Sequence, residues 1–215
     1  MNEKIAILNN LGDPQDLYVD TPDKWPDYLE HGFTTADVPD LIAIIVDEDL
    51  YEEPNGKKGI WLHLHAWRTL GQLKAVDAID PIISTFDFFS LVEDNGAFKE
   101  LPKVIAMIGE PAIEPIAKYL SDISTSTYAR SIVNDALGRI AKEQPDCRDK
   151  VVAKYKTYLL APDCFSQRLN GYVIAQLIDL KAVELMDDIR EMFKKECVDV
   201  SITGDLEDVE KKLLY

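Results

Sequence analysis

One stretch of the chain is written twice, and this repetition limits the possible folds more than any other feature. Residues 70–82 and 177–189 share two leucines, a Lys-Ala-Val corner, an acidic residue and a closing Asp-x-Ile pattern. Looser copies begin at Ile108 and Leu137. Because each copy joins the end of one helix to the start of the next, the sequence predicts a repeating array of helix pairs.

The spacing of the copies favours a repeat of about two helices. The anchors Leu70, Ile108, Leu137 and Leu177 follow one another after 38, 29 and 40 residues. We therefore predict an all-α fold, an α-solenoid of four to five antiparallel helix pairs in which each pair buries its apolar face against its neighbours. The predicted pairs are 38–50 with 60–73, 76–86 with 97–109, 111–120 with 127–142, and 148–160 with 165–180, followed by helices at 183–194 and 205–214.

The N-terminal residues and one short segment near the C-terminus differ in pattern from the repeats. Prolines and glycines interrupt residues 1–33 too often for a long helix, so we expect an irregular arm packed on the first repeat through Trp25, Tyr28 and Leu29. A partner-binding tail is the alternative. Residues 34–215 are predicted to form a single domain. Within it, 198–202 is the one segment whose residues could form a short β-strand.

The first predicted helix has a clear start signal. Thr34 or Thr35 can cap it, and Asp37 lies in its first turn, where an acidic side chain is favoured.

The net charge of the chain disfavours some classes of partner. The chain has 23 Lys and Arg against 39 Asp and Glu, a formal charge of −16, which repels nucleic-acid phosphates and anionic membranes. The longest apolar run, residues 41–46, is too short to cross a bilayer, and the first ten residues lack the apolar core of a signal peptide. We expect a cytoplasmic protein without nucleic-acid or membrane partners.

The cysteines and histidines do not predict a metal or cofactor site. Cys147, Cys164 and Cys197 are odd in number and widely spaced, so we expect reduced, buried thiols, although Cys164 could have a lowered pKa beside a helix N-terminus. His63 and His65 would share a face on a strand, but on the predicted helix they point apart. Paired carboxylates are frequent, as this charge requires, and we interpret them as a solvated acidic surface.

Several motifs resemble those of a known repeat family. Ala66-x-x-Thr69-Leu70-Gly71 and Asp135-Ala136-Leu137-Gly138 resemble the second-helix pattern of HEAT-like repeats, particularly the short repeats of phycobilin lyases. Residues 109–115 resemble the corner between such repeats. Residues 204–209 resemble the tail of an uncharacterised bacterial HEAT-like family, some of whose members carry a zinc-binding C-terminal motif that is absent here. The resemblance covers roughly residues 38–195 and implies fold more strongly than function.

In HEAT-like solenoids the second helices line the concave surface, and equivalent positions form rows across it. The first row would hold Trp61, Lys99, Tyr128 and Arg168, and the second His65, Lys103, Ile132 and Tyr172. Neither contains an acid. Further rows include Arg68 and Arg139. Because aromatic and arginine side chains dominate binding hot spots, we predict a binding surface formed by Trp61, His65, Arg68, Lys103, Tyr128, Arg139, Arg168 and Tyr172. The alternative is that some of these side chains pack between adjacent helices.

Four functions follow, of which the first is favoured. The leading hypothesis is a protein-interaction module or scaffold that binds a protein segment on the concave surface, because no catalytic constellation is present. The resemblance also implies a tetrapyrrole-handling enzyme subunit, in which ligand propionates would pair with the basic rows. An acidic inhibitor or immunity protein could instead mask a basic partner. A HEAT-like DNA-repair enzyme is the weakest alternative, because it needs a basic groove.

Overall fold

The structure is a computed structural model that describes residues 3–14, 22–51, 58–92 and 94–215. Throughout these ranges every regular element is helical and no strand occurs, which confirms the all-α class. The chain divides into two compact units, Met1–Ala112 (unit 1) and Ile113–Tyr215 (unit 2). That residues 34–215 form a single domain stays a prediction.

Unit 1 is organised around its longest helix. Its helices are α1 (Glu3–Leu11), α2 (Val38–Ile45), α3 (Glu48–Tyr51), α4 (Lys58–Gln72), α5 (Ile79–Ser84), α6 (Phe86–Leu91) and α7 (Asn95–Ile108). Helix α4 packs against α1, α2, α3 and α7, while α2 also packs against α5. The approach of α4 to α7 needs Gly71, because a Cβ there would lie 3.3 Å from the Cα of Val104.

Unit 2 has two layers of helices. Its helices are α8 (Ile113–Ser121), α9 (Thr127–Glu143), α10 (Arg148–Leu160), α11 (Gln167–Asp179), α12 (Met186–Lys194), α13 (Val200–Thr203) and α14 (Leu206–Leu214). Helix α10 contacts both α8 and α12, and helix α11 contacts both α9 and α13. Leu137 and Leu177, two anchors of the sequence copies, are fully buried in this unit.

The repeated corner of the sequence is a repeated corner of the structure. Lys74 and Lys181 both adopt a left-handed conformation with φ of 50°. In each, the following alanine N–H donates to the leucine carbonyl five residues earlier, Ala75 to Leu70 and Ala182 to Leu177, both at 3.0 Å. This is the Schellman arrangement, which satisfies the last carbonyls of a helix.

The start of each following pair is equally regular. A three-residue 3-10 turn precedes each of α2, α5, α8, α10 and α12. The first of these turns, Thr35–Asp37, uses the expected capping residues, because Asp37 Oδ2 accepts from the Thr34 N–H at 2.7 Å. The same type of helix start therefore occurs five times within the described residues.

The structure corrects the predicted elements at four places. Glu3–Leu11 is a helix inside the predicted irregular arm, and Val200–Thr203 is a helical turn capped by Asp199 where a β-type segment was considered. The first predicted helix ends at Ile45, with a separate short helix at Glu48–Tyr51. Helix α7 starts at Asn95 and accommodates Pro102 in its interior. The breakers that predicted an irregular arm begin only at Gly12, after α1, and a capping aspartate starts the turn at Val200.

Candidate functional site

The eight predicted surface residues fall equally on the two units. Trp61, His65, Arg68 and Lys103 belong to unit 1, and Tyr128, Arg139, Arg168 and Tyr172 to unit 2. In unit 1 three of the four lie beneath residues 22–33, which we call the N-terminal segment. Together with Gln72 and Glu100, the residues His65, Arg68 and Lys103 form what we call the covered surface.

Within the covered surface, His65 is the residue that binds the Tyr28 side chain. The Tyr28 hydroxyl and His65 Nδ1 are 2.7 Å apart, and His65 Nε2 lies 2.9 Å from the Gly12 carbonyl oxygen. Because a carbonyl can only accept, the proton lies on Nε2, and Nδ1 then accepts from Tyr28. Both side chains are buried. One histidine of α4 therefore fixes two points of the chain that precedes α2.

Trp25 covers a buried ion cluster. The Arg68 guanidinium donates to both carboxylate oxygens of Glu100, at 2.9 and 3.2 Å, and Lys103 Nζ lies 3.6 Å from the same carboxylate. The guanidinium carbon is 4.5 Å from the centroid of the Trp25 ring. Desolvated cation–π contacts of this kind contribute about 2 kcal/mol or more. The cluster thus supplies a cationic platform for an aromatic side chain.

Gln72, at the end of α4, binds the main chain of the N-terminal segment. Its Oε1 accepts from the Tyr28 N–H and its Nε2 donates to the Pro26 carbonyl, both at 2.9 Å. Such a pair of bonds recognises backbone and not side-chain identity. The covered surface therefore combines two aromatic sites with one main-chain clamp.

The far end of the N-terminal segment is tied to α1 and to the start of α2. Lys4 Nζ donates to Asp37 Oδ2 at 2.7 Å and lies 5.8 Å from the centroid of the Phe33 ring. The hydrogen bond from Lys4 lowers the pKa of the Asp37 carboxyl. This ion pair is partly exposed, so its contribution to stability is small.

These contacts change the interpretation of the predicted rows. His65, Arg68 and Lys103 are at most 2% exposed and bind residues of their own chain, so they are not part of an open surface in this structure. Trp61 is half-buried on α4. The physical reason is coverage by the N-terminal segment, whose packing position the sequence did not specify. Of the three residues expected to anchor the arm, Trp25 and Tyr28 are buried, whereas Leu29 is 44% exposed.

The four residues in unit 2 have other environments. Arg168 is exposed and donates from Nε to the Tyr172 hydroxyl at 3.2 Å, and this hydrogen bond raises the pKa of the arginine. Arg139 pairs with Asp135 at 3.0 Å on the same helix. Tyr128 and Tyr172 are half-buried. The structure thus brings Arg168 and Tyr172 together, and gives Arg139 an acidic neighbour.

His63 faces away from the covered surface. Its Nδ1 lies 2.9 Å from the Gly59 carbonyl oxygen and its Nε2 lies 3.0 Å from that of Asp47. Burial lowers the pKa of His63, and the two carbonyls oppose this effect. A neutral imidazole has one N–H, so it can donate to one of these carbonyls and not to both. The predicted divergence of His63 and His65 on a helix is confirmed.

The cysteines correct the prediction of three reduced thiols. Cys164 and Cys197 form a disulfide, with their Cα atoms 4.6 Å apart and their positions separated by 33 in sequence, while Cys147 is a buried thiol outside this pair. The disulfide joins the chain before α11 to the chain before α13. Pairing across 33 residues depends on helix packing, which cysteine spacing does not reveal.

A polar network supports the same corner of unit 2. Asn170 donates from Nδ2 to the carbonyls of Asp163 and Cys197, at 3.0 and 2.7 Å, and accepts from the Tyr158 hydroxyl at 2.6 Å. Burial raises the pKa of Tyr158 to about 12. Arg130 donates to Asp163 at 2.7 Å. The corner is therefore held by hydrogen bonds as well as by the disulfide.

Other possible sites are less developed. A groove of about 390 Å³ in unit 2 is lined by Glu114, Ala117, Lys118, Ser121, Asp122, Lys154 and Thr157. Within the described ranges no group of three or more His, Cys, Asp and Glu side chains could hold a metal ion. The same ranges contain no helix that is both long enough and apolar enough to pass through a bilayer.

Sequence reasoning missed two members of the covered surface. Glu100 was not selected because the row that includes Lys103 was chosen for its lack of acids, and Glu100 lies one turn earlier on α7. Gln72 stood in a predicted row but was not proposed as a binding residue. The aromatic pair Trp25 and Tyr28, three residues apart, was the available signal for a held segment.

Comparison with known proteins places the chain in a family. No curated protein and no solved structure matches it. A family model described as "Protein of unknown function (DUF1186)" matches residues 34–215, which contain the whole covered surface and begin directly after the N-terminal segment. The chain therefore belongs to this family.

Proposed function

We propose that the protein is a protein-interaction module whose covered surface binds a protein segment, and that its helix pairs stack as a HEAT-like α-solenoid. The observation that carries the binding proposal is the clamp of Gln72 on the main chain at Pro26 and Tyr28. A surface that binds backbone groups and seats two aromatic side chains has the elements of peptide recognition.

Different residues of the covered surface recognise different groups of a bound segment, and this is a division between main-chain and side-chain recognition. Gln72 bonds groups that every extended segment offers, apart from the N–H that a proline lacks. His65 selects a hydroxyl, and Arg68 selects the face of an aromatic ring. Main-chain bonds then provide register, and the two aromatic sites provide specificity.

The extent of the family match supports this division. All five residues of the covered surface lie within residues 34–215, whereas Trp25 and Tyr28 precede them. We infer that the surface is the family's part of the interaction and that the segment on it comes from outside the family region. The repeated Schellman corners and 3-10 turns support the HEAT-like arrangement of helix pairs.

The other functions remain proposals with less support. A tetrapyrrole-handling role would need the basic rows to be open to a ligand, whereas Arg68 and Lys103 are buried. An inhibitor of a basic partner would use the acidic surface of unit 1. No contact within the described residues favours either function over segment binding.

A selection experiment tests the proposal. The full chain carrying Trp25→Ala, whose covered surface is opened, is used to select peptides from a random display library. We expect enrichment of aromatic peptides whose affinity falls roughly tenfold or more when Gln72→Ala is added, as for a hot-spot residue.

The matched control is Gln167→Ala in unit 2, because Gln167 also bonds main chain, donating to the Glu196 carbonyl at 2.8 Å. It should leave peptide affinity unchanged. If Trp25→Ala lowers the helical circular dichroism, Tyr28→Phe is used instead, since it removes only the hydroxyl that contacts His65. The proposal would be contradicted if Gln72→Ala did not change the affinity of the enriched peptides. It would also be contradicted if neither the Trp25→Ala chain nor the Tyr28→Phe chain enriched any peptide.

A further inference from the structure

We propose that the N-terminal segment is an exchangeable occupant of the covered surface, and that the partner it excludes is a segment of the same chemistry. That partner would be a short stretch with tryptophan at one position and tyrosine three residues later, able to form turns like those at Pro22–Lys24 and Leu29–His31. This inference rests on the proposed function and adds to it the partner's chemistry and a means of regulation.

The segment is held at a few points and not along its whole length. Trp25 and Tyr28 are buried and Gln72 clamps the main chain near them. Leu29, by contrast, is 44% exposed, and the residues that follow it up to Gly32 are exposed as well. A segment with two anchors on the covered surface, and a solvent-facing stretch before its buried last residue, can leave that surface without exposing a large core.

Gly32 provides a point at which the chain can turn away. It ends the 3-10 turn Leu29–His31 with φ of 82°, a conformation that favours glycine, and a Cβ there would meet nothing within 4 Å. The open space around this residue leaves room for the backbone to change direction. The following Thr34 begins the capped entry to α2, so the family region can retain its own start when the segment moves.

The fit of Trp25 is incomplete. Its indole Nε1 is buried and has no hydrogen-bond partner among the described residues. In water that N–H would gain a partner, so release of Trp25 recovers a hydrogen bond that the occupied state lacks. The ring contact with Arg68 favours occupancy, and the unpaired N–H opposes it. An external segment that also supplies an acceptor for the indole would compete effectively.

Tethering sets the threshold for exchange. A segment joined to its site by a short chain acts at an effective concentration on the order of mM, so a partner at lower concentration must bind more tightly to replace it. The N-terminal segment would thereby keep the surface closed to weak, non-specific peptides. Weakening its anchors should lower that threshold without altering the surface.

The probe for the experiment is a fluorescent peptide copying residues 22–33, and its control has alanine in place of both the tryptophan and the tyrosine. Binding to the full-length wild-type chain is compared with binding to full-length Trp25→Ala and Tyr28→Phe chains. We expect the Trp25→Ala chain to bind the probe at least roughly tenfold more tightly than wild type, with no binding of the control peptide. Adding Gln72→Ala should remove most of the gain.

A second measurement follows the segment itself. The Tyr28 amide, which donates to Gln72, should exchange with deuterium faster in wild type when excess probe is present, while the Leu137 amide in unit 2 stays unchanged. Equal probe affinity for wild type and both opened chains overturns the inference, as does an unchanged Tyr28 amide at saturating probe. If the display selection enriches peptides but the probe does not bind, exchange is wrong and segment binding stands. If neither occurs, both proposals fail.

Discussion

Unit 1 and unit 2 use the same helix corner but differ in what lies over their second helices. In unit 1 Arg68 is fully buried between Glu100 and Trp25, whereas in unit 2 Arg168 is exposed beside Tyr172. Unit 2 is joined internally by the Cys164–Cys197 disulfide. One unit is thus held by a covering segment and an ion cluster, and the other by a covalent cross-link and a polar network.

Charge separates the units further. Residues 1–112 hold 21 Asp and Glu against 8 Lys and Arg, a formal charge of −13, whereas residues 113–215 hold 18 against 15, a charge of −3. Two of the eight basic residues in unit 1, Arg68 and Lys103, are buried. The comparison teaches that arginine side chains predicted to lie on one surface become structural or surface groups according to what packs on them.

The largest expected effect is on the ion cluster. Glu100→Ala leaves Arg68 and Lys103 buried without this carboxylate and should destabilise unit 1 by about 3–5 kcal/mol. Urea unfolding followed by circular dichroism measures the change. Asp149→Ala is the control in unit 2, because that carboxylate pairs with Arg148 at the surface and should not shift the midpoint. If both substitutions shifted the urea midpoint equally, the two units would not differ in how strongly these ion pairs stabilise them.

Reduction of the disulfide should act on unit 2 with the next largest effect. A cross-link between residues 33 apart stabilises by about 2–4 kcal/mol through the entropy of the unfolded chain. Thermal unfolding with and without dithiothreitol should show the loss. The double variant Cys164→Ser with Cys197→Ser should melt like the reduced protein and ignore the reductant. A wild-type transition that reductant does not move would contradict the pairing.

The shared corner predicts effects of the same sign and similar size in the two units. Lys74 and Lys181 both have φ of 50°, which costs an L-residue roughly 1 kcal/mol relative to glycine. Lys74→Gly and Lys181→Gly should each stabilise the protein by about 0.5–1 kcal/mol, as measured by urea midpoints. Stabilisation by one substitution and destabilisation by the other would show that the corners differ energetically.

The smallest expected effect concerns His63. Because burial lowers its pKa in the folded state, the folded protein binds this proton less well than the unfolded chain. The contribution of His63 to stability is therefore present above pH 6.5 and is lost as pH falls through the lowered pKa. His63→Gln should flatten the difference in urea midpoint between pH 7.5 and pH 5.5, whereas His31→Gln, at an exposed position, should not. If the urea midpoint rose on acidification only when His63 is present, the predicted sign of the pH dependence would be wrong.

Local features of the fold were predictable from the sequence. Helix α10 has the predicted bounds Arg148–Leu160, and the corners at Lys74 and Lys181 agree in conformation as their residues agree in type. Helix periodicity, capping residues and corner motifs involve neighbours within a few positions, so the sequence displays them directly.

Tertiary structure decided the rest. The cover of Arg68 by Trp25 joins residues 43 positions apart, and the disulfide joins cysteines 33 apart. The helical pattern of α4 is the same whether water or Trp25 lies over Arg68, because periodicity records which face is apolar and not which segment packs on a polar side chain. The sequence by itself determined helices and corners through local hydrogen bonding. Only the packing of distant segments decided which charged groups were removed from water.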